Sequence, residues 1–201
     1  EEFKDMGAGF AIAMRDLEIR GAGNILGTQQ SGHISAVGYE LYCELLEQAV
    51  RGLKHLPPRA SVDVSVDLPG EAYLPRSYVA DMRQKIDLYR RFTRVATLEE
   101  LADCRAELID RFGPAPAPVE RLLALAELRV LAHGWAVESI HQEDDYLVFR
   151  YTSPERIKRL AKASQGRLRI ADGRSAYLPT GGRLTDADEI LAAARSLLRL
   201  T

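Results

Sequence analysis

The sequence is poor in cysteine and histidine, and it lacks a long apolar run. It has two cysteines, Cys43 and Cys104, which lie far apart, and four histidines that are scattered along the chain. Neither residue type shows the short spacing of a zinc site or of a disulfide framework. No apolar run approaches the roughly 20 residues that a membrane-spanning helix needs. These absences favour a cytoplasmic protein that has reduced packing cysteines, no bound metal and no membrane contact.

A surplus of positive charge is also missing. Among 201 residues, 27 are Lys or Arg and 29 are Asp or Glu, which gives a formal net charge of −2. A self-sufficient DNA-binding domain normally carries a basic excess. A basic cluster does occur at helical spacing, and we expect it to be a solvated helix face: Arg83, Lys85, Arg90, Arg91 and Arg94.

Motifs of nucleotide binding and catalysis are absent as well. The chain has no Gly-x-x-x-x-Gly-Lys-Ser/Thr loop and no dinucleotide fingerprint between a strand and a helix. Asp63 and Asp67 alternate with valines, so they should face solvent rather than form an acid–base pair. Trp135, Phe149 and Tyr151 lie among apolar residues, as does Tyr146, which favours a core role over base stacking. We therefore expect no catalytic residue and no cofactor in this chain.

The pattern of apolar residues predicts an α+β fold. Residues 61–68 alternate as a strand, and helices are predicted over 78–95, from 98 to Gly113, and over 117–133. Met82 belongs to the apolar stripe of the first helix, and the second is expected to bury Leu98 and Ile109. Thr97 and Glu100 form a capping box, and Ser153-Pro154 begins a further helix. Hairpins are predicted around Asp144 and Asp172, and Thr185 should begin a last helix. The prediction is three consecutive helices plus a mostly antiparallel sheet with further helices.

We place a domain boundary after Pro57-Pro58, where a predicted helix over 39–54 ends. Residues 1–58 and 61–201 are therefore expected to be separate domains. The first contains an unusual run, Arg15-Asp16-Leu17-Glu18-Ile19-Arg20-Gly21-Ala22-Gly23, followed by Gly27 and Gln30-Ser31-Gly32. By composition this run fits a surface loop with turn glycines, or less well a loop that cradles phosphate.

A second unusual segment is Leu108-Ile109-Asp110-Arg111-Phe112-Gly113. Its glycine is a good helix-ending residue, and Pro114, Pro116 and Pro118 follow it. We expect Asp110 to pair with a neighbouring arginine and Phe112 to fill the core beside the cap. The segment is called the marker segment below.

Both segments closely resemble the transcription-repair coupling factor family. The resemblance implies that residues 1–58 are part of a translocation motif, an incomplete loop-and-helix module, in which Arg20 and Gln30 couple ATP-driven motion to DNA translocation beside Gly21 and Gly23. The helix that normally precedes this motif is not in the chain, so the sequence is expected to be a C-terminal fragment. The resemblance also implies that a C-terminal regulatory domain is marked by Asp110, Arg111, Phe112 and Gly113.

The family's parent enzyme is an ATP-dependent double-strand DNA translocase. It displaces stalled RNA polymerase and recruits UvrA for nucleotide-excision repair, while the terminal domain masks the UvrA-binding region. The resemblance thus implies ATP and Mg bound elsewhere in the parent, and DNA, RNA polymerase and UvrA as its partners. Two alternatives stay open: a fragment of a RecG-type fork-remodelling helicase, whose family ends soon after its motif, and a free-standing α+β interaction domain.

Overall fold

A computed structural model describes residues 62–181 and 186–200, in which five strands and five helices form. The expected translocation motif lies outside these residues. The strands are β1 (Ser65–Asp67), β2 (Val137–Glu143), β3 (Tyr146–Tyr151), β4 (Arg169–Ile170) and β5 (Ser175–Pro179). The helices are α1 (Met82–Arg94), α2 (Leu98–Phe112), α3 (Ala117–Gly134), α4 (Pro154–Ala163) and α5 (Ala187–Leu198). The α+β prediction, with three consecutive helices, is confirmed.

The five strands form one sheet in the order β1-β2-β3-β5-β4. The pairs β2–β3, β3–β5 and β4–β5 are antiparallel, whereas β1 runs parallel to β2 with Val66 opposite Ile140. Three helices lie between β1 and β2 in the chain, and such a long connection is what parallel pairing requires. The sheet is thus mixed, with its antiparallel part built from consecutive hairpins.

Alternating burial explains the position of β1. Val62, Val64, Val66 and Leu68 are buried, while Asp63 and Asp67 are exposed, as the sequence predicts. The β2–β3 turn also lies where expected, because Asp144 takes the left-handed backbone conformation (φ 48°) that Asp tolerates better than most residues.

Most helix starts follow their local capping signals. The Thr97 side chain accepts a hydrogen bond from the Glu100 backbone (3.1 Å), and the Glu100 carboxylate accepts one from the Ala96 backbone (2.8 Å). The Ser153 hydroxyl caps α4 ahead of Pro154. Asp186 caps α5 and accepts a hydrogen bond from the Asp188 backbone (2.6 Å), whereas Thr185, where we expected this helix to begin, lies outside the described residues.

Helix α1 differs most from its prediction. It begins at Met82 rather than at residue 78, because Tyr78 and Val79 form a separate turn on Pro75 and Asp81 then caps α1. Met82 is 40% exposed instead of buried. Lys85, which we expected in solvent, is 2% exposed, since it lies on the same helix face as Leu88, Tyr89 and Phe92.

Two buried arginines of α3 join segments that are distant in sequence. Arg129 donates to the carbonyls of Val62 (2.7 Å), Val64 (3.4 Å) and Phe92 (3.5 Å). Arg121 donates to the carbonyls of Pro69 and Ala187 and pairs with Asp188. Together these hydrogen bonds attach β1 and the turn after it to helices α1, α3 and α5.

The far end of α3 packs on α5. The Trp135 indole donates to the carbonyl of Leu198 (2.8 Å), and the carboxylate of Glu127 accepts from both Arg195 and Arg199. Of the four aromatic residues that we expected in the core, Phe149 and Tyr151 are fully buried, Trp135 is half-buried, and Tyr146 is 43% exposed. The prediction for Tyr146 is wrong, because it packs edge-to-face on Tyr177 instead.

Candidate interaction surface

The marker segment forms the end of α2. Gly113 has φ 82° and its N–H donates to the carbonyl of Ile109 (2.9 Å), so it ends the helix as expected. The Tyr78 hydroxyl donates to the carbonyl of Gly113 (2.9 Å), and the carbonyl of Leu108 lies 3.3 Å away. Burial raises the pKa of Tyr78, as does the nearby Glu120 carboxylate, so the hydroxyl keeps its proton as a donor.

Two side chains of the marker segment stabilise this helix end. Phe112 is partly buried against the core, and its ring centroid lies 5.7 Å from that of Tyr78. The guanidinium of Arg111 lies 5.0 Å from the Phe112 ring centroid and also pairs with Glu107 at 2.9 Å. Arg111 therefore forms an ion pair with a residue one helical turn earlier on the same helix. Asp110 is exposed and makes no ion pair with a described residue, contrary to our expectation.

The exposed face of α2 combines negative charge with apolar groups. Glu99, Asp103 and Asp110 are exposed and lie four and seven residues apart, so they share one side of the helix. Leu98 and Ile109, which we expected in the core, are 48% and 42% exposed along the edge of the same side. We call this surface the acidic face of α2; between its charges lie Ala102 and Ala106, which are also exposed.

The acidic face rests on a well-fixed helix. Leu101, Cys104 and Leu108 are buried on the opposite side, and Arg91 of α1 pairs with Glu107 of α2. The hydrogen bonds from Arg91 and Arg111 lower the pKa of Glu107, which therefore stays ionised at neutral pH. Arg105 pairs with Glu120 of α3 (2.7 Å). These contacts present the exposed carboxylates on a rigid support.

The described residues show little that would support catalysis. Over 62–181 and 186–200, no group of three or more His, Cys, Asp or Glu side chains could hold a metal ion. Burial raises the pKa of Cys104, so its thiol is a packing group rather than a nucleophile. No helix in the same ranges is long and apolar enough to cross a membrane.

The residues of the expected translocation motif cannot be placed in this geometry. Arg20, Gly21, Gly23 and Gln30 lie outside the described residues, so their roles remain predictions. The periodicity of the sequence does not predict the acidic face of α2, because Leu98 and Ile109 fit an apolar stripe. The available signal was the spacing of Glu99, Asp103 and Asp110, which places three carboxylates on one side of a predicted helix.

Comparison with known proteins agrees with the marker segment. A family model of the TRCF domain matches residues 68–161. The transcription-repair-coupling factor of Bacillus subtilis is 46% identical over 146 residues, which are 72% of this chain and 12% of the relative. That of Staphylococcus epidermidis is 49% identical over 143 residues, or 70% of this chain and 12% of the relative. The corresponding Myxococcus xanthus protein is 45% identical over 130 residues, covering 65% and 11%.

A solved structure agrees in fold. The crystal structure of the C-terminal domain of a transcription-repair coupling factor superposes with a TM-score of 0.60 and 23% identity, covering 69% of this chain and 93% of that one. At this identity the likeness establishes the fold alone. The chain spans about 12% of the length of the two curated relatives from Bacillus subtilis and Staphylococcus epidermidis. The sequence similarity and the shared fold together show that the chain belongs to the transcription-repair-coupling factor family.

Proposed function

We propose that the chain is the C-terminal part of an ATP-dependent double-strand DNA translocase that displaces stalled RNA polymerase and recruits UvrA. Residues 1–58 belong to the translocation motif. Residues 61–201 form a regulatory domain that folds back on the UvrA-binding region of the same protein and masks it in the resting state. ATP and Mg bind elsewhere in the parent. The family relationship supports the parent's activity, and the acidic face of α2 supports the masking role.

The acidic face of α2 is the observation that carries the masking proposal. It lies on the helix that ends in the marker segment, and its exposed carboxylates and apolar side chains suit a protein partner with basic and apolar groups. Like charges would repel nucleic acid from this face. We therefore assign it to the intramolecular contact with the UvrA-binding region, which is released when the motor engages DNA and polymerase.

Charge reversal on this face tests the masking role. We expect Asp103→Arg with Asp110→Arg in the full-length parent to raise its affinity for UvrA at least about tenfold, because repulsion at a charged interface costs several kcal/mol. The affinity would be measured by surface plasmon resonance with immobilised UvrA. The matched control is Glu143→Arg with Asp145→Arg, which changes the net charge equally at the β2–β3 hairpin, where both residues are exposed.

Two results would contradict the masking proposal. An affinity for UvrA that is unchanged by the α2 variant would separate this face from masking. Equal gains in the α2 variant and the hairpin control would indicate a general effect of charge. Melting temperatures of both variants within about 2 °C of the parent would show that the fold is kept, since exposed substitutions rarely change stability by more than ~0.5 kcal/mol.

The translocation motif has its own test. We expect Arg20→Ala and Gln30→Ala in the full-length parent to abolish translocation while ATP hydrolysis is largely kept or deregulated, because these residues are proposed to couple the two. Displacement of a stalled polymerase and ATPase activity would be measured side by side. Gln29→Ala removes a neighbouring amide and should behave as the parent does. Polymerase displacement by both motif variants at the parent's rate would contradict the proposed roles.

A further inference from the structure

Positive charge is concentrated in one short part of the chain. Residues 154–174 contain seven basic and two acidic residues, a net charge of +5 in a chain whose formal net charge is −2. All seven basic side chains are exposed: Arg156, Lys158, Arg159, Lys162, Arg167, Arg169 and Arg174. We call these seven residues the basic corner. The net charge of the whole chain, which is close to zero, does not reveal this local cluster of positive charge.

The fold holds the basic corner together. Helix α4 packs beside β4, and Ser164, which is 1% exposed, fixes the turn between them. Its hydroxyl donates to the carbonyl of Ala161 (2.7 Å) and accepts from the backbone of Leu168 (3.0 Å). On α4, Lys158 and Lys162 lie one turn apart on the exposed side, opposite buried Ile157 and Leu160. The turn and strand that carry Arg167 and Arg169 therefore lie next to α4, which carries four of the seven basic residues.

The turn after β4 is equally well fixed. The Asp172 carboxylate accepts hydrogen bonds from the backbones of Arg174 (2.7 Å) and Ser175 (2.8 Å), and these bonds lower the pKa of Asp172. The Tyr151 hydroxyl donates to the carbonyl of Asp172 (2.7 Å). One of the two acidic residues in this region is therefore engaged with the backbone of its own turn rather than with a basic side chain.

The basic side chains of the basic corner differ from several arginines elsewhere in the fold, because they form no ion pairs with the carboxylates that the structure describes. In the described part of the chain, none of its seven cations forms an ion pair, although Arg156 donates to the carbonyl of Gly134 and Arg167 to that of Ser164. Five arginines on or directly after α2, α3 and α5 are instead paired with carboxylates: Arg105, Arg111, Arg121, Arg195 and Arg199. Exposed like charges without counter-charges attract a polyanion and release its condensed counterions.

We propose that the basic corner is a binding surface for the phosphate backbone of double-stranded DNA. Five of its seven residues are arginines, whose planar fork of donors fits phosphate oxygens. Residues 154–174 contain no aromatic side chain on which bases could stack, so the surface suits a duplex backbone rather than single-stranded DNA. The choice of DNA among polyanions rests on the proposed function, whereas the surface itself rests on the charge distribution.

Titration of the 201-residue chain with a fluorescein-labelled 20-base-pair duplex tests this surface. We expect saturable binding at 50 mM NaCl that weakens steeply by 200 mM NaCl. Lys158→Gln, Lys162→Gln and Arg169→Gln together should weaken binding at 50 mM NaCl at least about tenfold. They should also reduce the slope of log affinity against log salt by roughly 2.7, because each lost phosphate contact contributes about 0.9.

The matched control removes the same three charges elsewhere. Arg76, Arg83 and Arg94 are exposed and lie in or before α1, so replacing all three with Gln leaves the basic corner intact. We expect this control to bind the duplex within about threefold of the unchanged chain, since only a general charge effect remains. Circular dichroism would verify that both triple variants keep the fold.

Four outcomes would each overturn the proposal. In the first the chain does not bind the duplex at 50 mM NaCl, in the second the basic-corner variant and the unchanged chain bind equally, and in the third the α1 control loses as much affinity as the basic-corner variant. In the fourth, polyglutamate competes as well as unlabelled duplex at equal charge concentration. The last would assign the basic corner to an acidic protein. None of these results bears on the UvrA affinity of the Asp103 and Asp110 variant, so failure here and failure of the proposed function are distinguishable.

Discussion

Replacing Arg129 with alanine is expected to lower the free energy of unfolding by about 3 kcal/mol, because a buried, charge-assisted hydrogen-bond network is lost. The guanidinium is part of a side chain that is 5% exposed, and it donates to the carbonyls of Val62, Val64 and Phe92. Alanine would leave a cavity and deprive these buried carbonyls of their donor. Both effects destabilise the junction between β1, α1 and α3.

Because Arg129 is a buried positive charge, the loss of unfolding free energy in Arg129→Ala is limited. Desolvation lowers the pKa of Arg129, while the nearby Asp63 carboxylate acts in the opposite direction. Arg129→Ala removes the cost of that buried charge, and this offsets part of the lost bonding. Arg129→Met fills much of the same volume without donors, so we expect a loss of about 2 kcal/mol, smaller than that of alanine.

Urea unfolding followed by the fluorescence of Trp135, the only tryptophan of the chain, would measure both variants. Arg105→Ala is the control, because it removes an arginine that is 48% exposed and paired with Glu120. It should cost less than about 1 kcal/mol, as surface ion pairs do. A loss below about 1 kcal/mol for Arg129→Ala would mean that relaxation or water satisfies the freed carbonyls, contrary to our account.

Replacing Gly70 with alanine is expected to cost about 3 kcal/mol, which combines backbone strain with displacement of a buried arginine. Gly70 has φ +109°, a conformation that is costly for a residue with a Cβ. A Cβ there would lie 2.5 Å from Cζ of Arg121. Arg121 is 7% exposed and is held by the carbonyls of Pro69 and Ala187 and by Asp188, so it cannot move away without losing these bonds.

Substitutions at two other glycines distinguish backbone strain from steric collision with a neighbouring side chain. Gly113 also has a positive φ (+82°), but nothing lies within 4 Å of its Cβ position, so Gly113→Ala reports strain alone and should cost about 1–2 kcal/mol. Gly173 has neither a positive φ nor a close neighbour, and Gly173→Ala should change stability by less than about 0.5 kcal/mol. Equal costs for Gly70→Ala and Gly113→Ala would show that contact with Arg121 does not matter.

A double-mutant cycle gives an independent reading of the same contact. In an Arg121→Ala background the collision is absent, so Gly70→Ala should cost less there than in the unchanged chain. We expect a coupling of about 1–2 kcal/mol between the two positions, as is usual for residues in direct contact. Additive effects of the two substitutions would contradict the steric part of the argument.

Local signals in the sequence predicted much of this fold. The capping box at Thr97 and Glu100, the helix start at Ser153-Pro154 and the turn at Asp144 all occur where their residue types indicate. Each depends on backbone groups within four residues, so no distant contact can move it far. The alternation of valines and acidic residues likewise placed β1 and its buried side.

The family, too, could be recognised from the sequence, because it depends on identities in the marker segment and around Arg20 rather than on geometry. Periodicity was less reliable for the extent of burial. Met82, Leu98 and Ile109 fit apolar stripes, yet each is at least 40% exposed, since the neighbouring helices cover only part of the apolar face. The spacing of Glu99, Asp103 and Asp110 indicates the carboxylates of the acidic face of α2, but only the structure shows that Leu98 and Ile109 are exposed beside them.

The sequence by itself determined the order of helices and strands, most helix caps and turns, and the family to which the chain belongs. Only the tertiary structure decided which charges are buried, which are paired and which are exposed without an ion pair. Arg129 and Arg121 reach carbonyls that are 37 to 67 residues away in the chain, and no local pattern can encode such distances. The basic corner likewise combines charges from two elements, because α4 packs beside β4.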